Sequence, residues 1–200
     1  MDYKVSYHRI QPNEKIKQLQ KELYDKLETT SIPRIEGKRK DGKGTRGDLL
    51  GYNAWTFTLG CGNRRMLGYG EFKTNERYPE LFDLLIKYGN EICPKGFRYT
   101  TITINKDMKA KKHIDGGNAG DSIITGLGAF TGGNLLVYQD GKNNAPDEYN
   151  LKQHILIFNG AEIYHRTMPF EGRRYSLVYY NHQKGDCDIE GKTLVGKAEY

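Results

Sequence analysis

Five polar side chains in the second half of the sequence constrain its fold more than any other feature. His113 and Asp115 are two residues apart, His165 follows 165 − 115 = 50 residues later, and Arg174 and Ser176 are again two apart. Residues two apart in a β-strand point to the same side, so each close pair can present both side chains to one point. Two imidazoles and one carboxylate can hold one face of a transition metal and leave its other positions open. The spacing therefore predicts strands from distant parts of the chain that converge on one metal ion.

Arg174 and Ser176 are predicted to share one face of a strand near the end of the chain. A guanidinium is planar and presents its N–H groups as a fork, which matches the two oxygens of a carboxylate. Arg173 directly precedes this pair, but the alternation of a strand points it to the opposite face, so it is the second choice. The pattern predicts that Arg174 binds a carboxylate.

The first half of the sequence predicts two helices. Residues 12–30 carry apolar side chains at intervals of three and four, with lysines and glutamates elsewhere; the stripe consists of Ile16, Leu19, Leu23 and Leu27. A stripe of this spacing faces a core. Pro12 suits the first helical turn, and a second helix is predicted over residues 78–92 with Pro79 at its start.

From Tyr99 the period of the apolar residues changes to two, which is typical of strands. Strands are predicted at residues 101–105, 122–127, 134–138, 154–158, 163–167 and 173–180, after one short strand at 56–59 that ends at a Gly-Cys-Gly sequence. Two helices followed by many short strands indicate an α+β arrangement, with helices packed on one face of a β-barrel or sandwich. We predict a single domain over residues 1–200, with a helical support over about 1–98 and a β core over about 99–181.

Residues 99–181 contain three motifs in order, namely His-x-Asp, a distal His and Arg-x-Ser. With these motifs the stretch resembles the double-stranded β-helix core, a jelly-roll or cupin-like barrel, of the Fe(II)/2-oxoglutarate-dependent dioxygenases. The glycine-rich sequence at residues 118–122 and 126–135 resembles the corresponding sequence in the branch that contains the TET and J-binding-protein base hydroxylases and their algal and viral relatives. The resemblance implies an oxidoreductase that uses Fe(II), 2-oxoglutarate and dioxygen, with His113, Asp115 and His165 as its catalytic metal ligands.

The resemblance also implies where 2-oxoglutarate binds. Arg174 would pair with its distal carboxylate, and Ser176 would add a hydrogen bond. Asn105 is a candidate contact to the cosubstrate or the substrate, and Tyr138 is a candidate hydroxyl in the cosubstrate pocket. Collagen-type prolyl hydroxylases generally have lysine at the place of Arg174, which disfavours that class.

For the substrate, the resemblance favours the methyl group of a pyrimidine base in DNA or RNA, which would be hydroxylated. The alternative enzyme is a hydroxylase of a protein side chain or a small metabolite. A cupin-like barrel with another metal, an inactive relative and a non-catalytic binding module are further alternatives. The presence of all three metal ligands together with the arginine disfavours a module without catalysis.

Positive charge allows a nucleic-acid partner without requiring one. The formal net charge is +6, and basic residues form two clusters: one in a glycine-rich segment (Lys38, Arg39, Lys40, Lys43 and Arg46) and one directly before His113 (Lys106, Lys109, Lys111 and Lys112). Such clusters can bind the phosphate backbone of a nucleic acid. The alternative is that these lysines only keep loops solvated.

Cys61, Cys93 and Cys187 are widely spaced and match no zinc-binding pattern. An odd number of cysteines, together with a polar N-terminus that lacks a signal-like apolar run, predicts free thiols in a reducing compartment. We therefore expect an intracellular protein, cytoplasmic or nuclear and not secreted. No run of eighteen apolar residues occurs, so no membrane span is expected. The sequence does not indicate an oligomeric state.

Overall fold

The computed structural model describes residues 4–32, 47–50, 54–64, 66–139, 145–182 and 187–200, and all structural statements concern these residues. The first predicted basic cluster, residues 38–46, lies outside them. The elements in chain order are β1 (Ser6–Arg9), α1 (Glu14–Thr29), β2 (Gly47–Leu49), β3 (Trp55–Arg64), β4 (Gly68–Glu71), α2 (Thr74–Arg77), α3 (Pro79–Ile92), β5 (Thr101–Lys106), β6 (Met108–Ala110), β7 (Asn118–Leu127), β8 (Phe130–Gly132), β9 (Leu135–Tyr138), β10 (Asp147–Tyr149), β11 (His154–Phe158), β12 (Tyr164–Thr167), β13 (Phe170–Gly172) and β14 (Tyr175–His182).

Helix α1 begins directly after Asn13, whose side-chain oxygen accepts a hydrogen bond from the N–H of Ile16 at 2.8 Å. This N-cap satisfies one of the free N–H groups of the first turn, so Pro12 precedes the helix and does not start it. The predicted apolar stripe of α1 is buried. Helix α3 corresponds to the second predicted helix, starts at Pro79 and packs against α1. None of the described helices is long and apolar enough to cross a membrane.

The largest sheet has seven antiparallel strands in the order β1-β11-β7-β14-β5-β3-β4. One of its faces packs on the helices, where Tyr175, Leu177 and Tyr179 of β14 are fully buried. Tyr179 donates a hydrogen bond from its hydroxyl to the carbonyl of Leu85 in α3 at 3.2 Å. Because neighbours in a strand alternate, Ser176 points to the opposite face, which is the inside of the barrel.

A second sheet covers this inner face. It has the order β10-β9-β12, and His113, beyond the end of β6, joins it through a bridge to His165 of β12. The strands β2 and β6 pair with each other, as do β8 and β13. Between the sheets lies an apolar cluster made of Ile124, Leu135, Val137, Leu151, Leu156, Phe158 and Ile163. The predicted fold, an α+β double-stranded β-helix with helices packed on one sheet, is confirmed.

Strand β3 continues past the Gly-Cys-Gly sequence at which we predicted its end. Gly60 has a φ of +92°, and a Cβ there would lie 2.2 Å from the carbonyl oxygen of Thr100. A Cβ on Gly62 would lie 2.3 Å from the ring of Phe72. These glycines permit close contacts within the strand and do not stop it. The strand therefore reaches Arg64 and forms a hairpin with β4 at the edge of the sheet.

Cys61 and Cys187 form a disulfide with their Cα atoms 6.3 Å apart, so the prediction of free thiols is wrong for these two residues; Cys93 is free and buried. The two partners are 126 residues apart in the sequence. They meet because residues 187–200 run back along residues 94–99 and make hydrogen bonds there. Cysteine spacing does not reveal such a connection. The intracellular location rested in part on free thiols, and it stays a prediction.

Candidate metal centre

The three predicted metal ligands meet at one point. His113 and His165 are backbone partners, with N···O distances of 3.0 Å in both directions. The N–H of Asp115 donates to the carbonyl of Gly160 at 2.7 Å, which holds the turn after His113 against the loop before β12. One ligand atom from each of the three residues lies within 4.8 Å of the others. A group of two imidazoles and one carboxylate at these distances can hold one metal ion.

Both imidazoles are oriented by a hydrogen bond at Nδ1. Nδ1 of His113 lies 2.6 Å from the carbonyl oxygen of Lys111, and Nδ1 of His165 lies 2.9 Å from that of Ile163. A carbonyl oxygen only accepts, so each Nδ1 carries the proton in the neutral ring. Each Nε2 then keeps its lone pair, which is the form that a metal ligand needs.

The Asp115 carboxylate lies between the two Nε2 atoms. Its Oδ1 is 3.5 Å from Nε2 of His113, and its Oδ2 is 3.5 Å from Nε2 of His165. Burial by itself raises the pKa of Asp115, but hydrogen bonds and charge from the two histidines, when protonated, outweigh it and hold that pKa far below its usual value. The carboxylate therefore stays anionic beside two ring nitrogens, an arrangement that suits a cation.

The inner wall beside these ligands is apolar or bare. The ring of Phe158 meets His165 edge-on, with the centroids 5.0 Å apart. A Cβ on Gly160 would lie 3.6 Å from Oδ2 of Asp115 and 3.7 Å from Cε1 of His165, so the glycine leaves room next to both ligands. The phenyl ring keeps water from one side of His165, while Gly160 keeps the neighbouring space open.

Arg174 is buried, with 1% of its surface exposed, just before β14. Its Cζ lies 5.5 and 5.4 Å from the ring centroids of Phe130 and Phe170, and Nη2 donates to the carbonyl of Gly133 at 3.1 Å. Burial lowers the pKa of Arg174 to about 10, although the Asp107 carboxylate opposes this shift. Nε has no hydrogen-bond partner among the described residues. A buried cation with an unsatisfied N–H is costly, and an anionic ligand would remove that cost.

Asp107 fixes the chain at the point where Arg174 enters the sheet. The N–H of Asp107 donates to the carbonyl of Arg174 at 2.8 Å, and Oδ1 of Asp107 accepts from the N–H of Arg174 at 2.8 Å. Oδ2 of Asp107 lies 3.0 Å from Nε of Arg173, which also contacts Glu28 of α1 at 3.2 Å. Arg173 therefore lies on the helix side of the sheet, on the opposite face from Arg174, as strand alternation predicted.

Asn105 and Ser176 are cross-strand partners on β5 and β14. Nδ2 of Asn105 donates to Oγ of Ser176 at 3.1 Å, and Oδ1 of Asn105 accepts from the Thr56 hydroxyl at 2.8 Å. The three side chains form a polar row on the inner face that begins two residues after Arg174. Thr56 could not be predicted as part of this row, because the register of β3 against β5 cannot be read from the sequence.

Tyr138 does not point to the metal ligands. It pairs with Tyr164, whereas its neighbour Val137 pairs with the candidate ligand His165. Cross-strand partners point to the same side and neighbours alternate, so the Tyr138 ring lies on the outer face. There Nζ of Lys112 lies 3.5 Å from its centroid. The predicted contact of Tyr138 with the cosubstrate is therefore wrong.

Further polar side chains lie towards the end of the barrel that holds Asp115. The hydroxyls of Thr103 and Tyr180 are 3.1 Å apart. The N–H of Asn118 donates to the carbonyl of Asp115 at 2.8 Å, and Asn118 is the cross-strand partner of His182. We call Thr103, Asn118, Tyr180 and His182 the rim cluster. Its hydroxyl, amide and imidazole groups can bind a polar group held next to the metal ligands.

The rim cluster is only partly predictable from the sequence. The alternation that joins Arg174 to Ser176 reaches Tyr180 within the predicted strand at residues 173–180, so Tyr180 could be predicted to share their face. His182 lies beyond the end of that predicted strand. Asn118 could not be found in this way, because the pairing of β7 with β14 shifts its register between Tyr179 and Asn181. Such an irregularity depends on the tertiary structure.

The second predicted basic cluster is divided by the fold. Lys106 is buried against α1 with its Nζ 3.8 Å from Glu28, so its predicted contact with a phosphate is wrong. Lys109 and Lys111 remain at the surface, with Nζ 3.9 and 3.1 Å from the Asp48 carboxylate. Ion pairs at a surface are weak, so a phosphate can replace Asp48 as the partner of both lysines.

No family model matches the sequence, and a search of curated proteins by sequence finds no match. Solved structures do match. NgTET1 in complex with 5mC DNA has a TM-score of 0.55 at 16% identity, covering 92% of this chain and 74% of that one. OsALKBH1 has a TM-score of 0.55 at 12% sequence identity, and the match covers 91% of this chain and 98% of that one. A Pseudomonas putida prolyl-4-hydroxylase has a TM-score of 0.54 at 11% sequence identity, and the match covers 90% of this chain and 94% of that one.

These three structures are of Fe(II)/2-oxoglutarate oxygenases. At such low identities the similarity shows a common fold and does not extend to substrates. The chain therefore has the fold of this oxygenase superfamily, as its three ordered motifs predicted, and a TET protein is among the matching structures.

Proposed function

We propose that this chain is an Fe(II)- and 2-oxoglutarate-dependent dioxygenase that hydroxylates a C–H bond. One observation carries the proposal: His113, Asp115 and His165 converge with both Nε2 atoms facing one carboxylate. This donor set suits Fe(II) and leaves positions open for a cosubstrate and dioxygen. The buried Arg174, whose Nε lacks a partner, suits a carboxylate of 2-oxoglutarate.

Different side chains of the site would bind the cosubstrate and exclude water in such an enzyme. When bound, Fe(II) with 2-oxoglutarate and dioxygen supplies the oxidising chemistry, and 2-oxoglutarate leaves as succinate and carbon dioxide. Arg174 binds the distal carboxylate of the cosubstrate, and Ser176 and Asn105 line its path along the inner face. Phe158 and the apolar cluster between the sheets keep water away from the reacting centre.

For the substrate we propose the methyl group of a pyrimidine base in nucleic acid. A base in a duplex must leave the stack and enter a pocket, where hydrogen bonds to its polar edge and contact with a flat ring replace pairing and stacking. The rim cluster supports this, since Asn118 carries two donors and one acceptor, of which Ser122 takes one donor at 3.1 Å. Tyr180 adds an aromatic ring and His182 an imidazole at the same end of the barrel.

Charge also supports a nucleic-acid substrate. The formal net charge is +6, and Lys109 and Lys111 lie at the surface a few residues before His113. A phosphate bound by them would place a nucleotide near the site. NgTET1, which shares the fold, was solved with 5mC DNA. The alternative, hydroxylation of a protein side chain or small metabolite, is supported by the equally similar prolyl-4-hydroxylase structure.

Succinate release over a substrate panel tests both levels of this proposal. The panel contains single-stranded and duplex DNA with thymine and 5-methylcytosine, the matching RNA, and peptides with proline, lysine or asparagine. We expect DNA to stimulate succinate release and an oxidised pyrimidine to be detected by mass spectrometry, with His165→Ala inactive as the control. Stimulation by peptides alone would rule out base hydroxylation but keep the dioxygenase; no release with any substrate, in enzyme loaded with Fe(II), would rule out both.

A further inference from the structure

The tip of the hairpin between β3 and β4 presents two apolar side chains to solvent. Met66 is 96% exposed and Leu67 is 63% exposed, more than any other large apolar side chain of the described residues. A single exposed apolar side chain is ordinary on a protein surface. Two adjacent ones at the end of a projecting turn form a small apolar surface that a partner can cover.

This tip is braced from within. The guanidinium of Arg64 lies across β4 and donates to the carbonyls of Leu67, Gly68, Tyr69 and Glu71 at 3.3–3.4 Å. A Cβ on Gly70 would lie 2.7 Å from Nη2 of Arg64, so a glycine at this place is what allows the guanidinium to lie flat. Arg64 thus ties both strands together directly behind the tip, and it brings a positive charge there.

The hairpin borders the end of the barrel that holds the rim cluster. The Tyr69 ring of β4 lies 5.6 Å from the His182 ring, centroid to centroid. The Tyr69 hydroxyl lies 3.5 Å from Oγ1 of Thr100, next to the start of β5. Met66 and Leu67 are therefore only two or three residues from a side chain that contacts the rim cluster.

We propose that Met66 and Leu67 enter the base stack of a DNA duplex and fill the place of the base that moves into the barrel. The inference rests on the proposed base hydroxylation. Apolar wedges of methionine or leucine are used to unstack DNA, and an enzyme that extrudes a base must offset lost stacking. The Arg64 charge behind the tip and the net charge of +6 favour a polyanion over an acyl chain or an apolar protein groove.

The test compares duplex with single-stranded DNA in one double variant, Met66→Asn with Leu67→Ser. Met66 has a φ of +66°, a conformation that asparagine tolerates well, so the turn keeps its shape while its apolar surface is lost. We expect kcat/KM on a duplex with thymine and 5-methylcytosine to fall by at least about tenfold, ~1.4 kcal/mol. The same strand without its complement should react as fast as with the wild type.

The matched control exchanges the two side chains, Met66→Leu with Leu67→Met, and should keep the duplex activity because the apolar volume stays. A 2-aminopurine beside the target reports unstacking by its fluorescence, which should rise with the wild type and the exchange variant only. Equal rates for wild type and double variant on the duplex would overturn the proposal, and so would an equal loss on both DNA forms. A wild type that oxidises neither form contradicts base hydroxylation itself, before any variant is compared.

Discussion

At the scale of single residues, the candidate metal centre depends on two backbone carbonyls that fix the tautomers of His113 and His165. His165→Ala should lower the affinity for Fe(II), or for Mn(II) as a stable substitute, by more than about 100-fold. Loss of a residue that only hydrogen-bonds to a metal ligand lowers metal affinity by up to about 100-fold, so loss of the ligand itself should have a larger effect. Calorimetric titration with Mn(II) measures this. Circular dichroism should remain that of the wild type, since the apolar cluster between the sheets does not need the metal. Retained Mn(II) binding would show that His165 is not a ligand.

The neighbouring arginines offer a matched pair. Arg174→Ala should weaken 2-oxoglutarate binding by about two orders of magnitude, because charge-assisted hydrogen bonds in a buried site contribute ~1.5–3 kcal/mol each. Arg173→Ala should have little effect on this affinity, since Arg173 contacts Glu28 and Asp107 on the other face. Calorimetry with Mn(II)-loaded protein gives both dissociation constants. If Arg173→Ala had the larger effect, the strand register assigned to the cosubstrate site would be wrong.

Asp107 should act on the cosubstrate through Arg174. Asp107→Ala removes the acceptor for the N–H of Arg174, so we expect KM for 2-oxoglutarate to rise by about tenfold, the worth of ~1.4 kcal/mol. Asp107→Asn keeps an acceptor and tolerates the φ of +50°, so it should recover most of that loss. Mn(II) affinity should be equal in both variants; a parallel loss of Mn(II) binding would indicate general damage to the barrel.

At the scale of elements, the disulfide between Cys61 and Cys187 joins the last segment to strand β3. A cross-link over so long a loop stabilises the fold by ~2–5 kcal/mol, chiefly by restricting the unfolded chain. Cys187→Ser should therefore lower the free energy of unfolding by about that amount in oxidising buffer. Urea unfolding with and without reductant measures it. In reductant, wild type and variant should unfold together; equal stability in both buffers would mean that the bond contributes nothing.

Hydrogen bonds hold the same C-terminal segment without the disulfide. Oδ1 of Asn90 accepts from the N–H of Val195 at 3.0 Å, and Nδ2 of Asn90 donates to the carbonyl of Thr193 at 2.6 Å. The N–H of Ala198 donates to the carbonyl of Cys93 at 3.0 Å. We therefore expect the segment to stay in place after reduction, so that the fold does not depend on an oxidising compartment.

At the scale of the whole molecule, charge should govern binding to nucleic acid. With a net charge of +6, DNA affinity should fall as salt rises, with a logarithmic slope of roughly 0.7–0.9 per phosphate contact. Lys111→Ala should reduce the magnitude of that slope by about one contact, because Lys111 is exposed beside Asp48. Lys106→Ala should leave the slope unchanged, since Lys106 is buried against α1. Fluorescence anisotropy over a salt series measures the slope for both variants. If Lys111→Ala had the same slope as the wild type, Lys111 would not be part of the DNA interface.

The sequence by itself determined the three candidate metal ligands, the face on which Arg174 and Ser176 lie, and the order of helices and strands. These features depend on local spacing: residues two apart share a strand face, and residues three or four apart share a helix face. His113 with Asp115, Arg174 with Ser176, and the buried stripe of α1 all follow that rule. The face of Arg173 was predicted correctly for the same reason.

Only the tertiary structure decided the contacts that depend on the register between strands and on contacts between segments far apart in the sequence. A shift of one residue between strands moves a side chain to the other face, which is why Tyr138 was misplaced and Thr56 missed. The pairing of Cys61 with Cys187, the burial of Lys106 and the place of Asn118 in the rim cluster bring together residues far apart in sequence. Local spacing holds no information on such pairs, because packing of the whole barrel against its helices sets them.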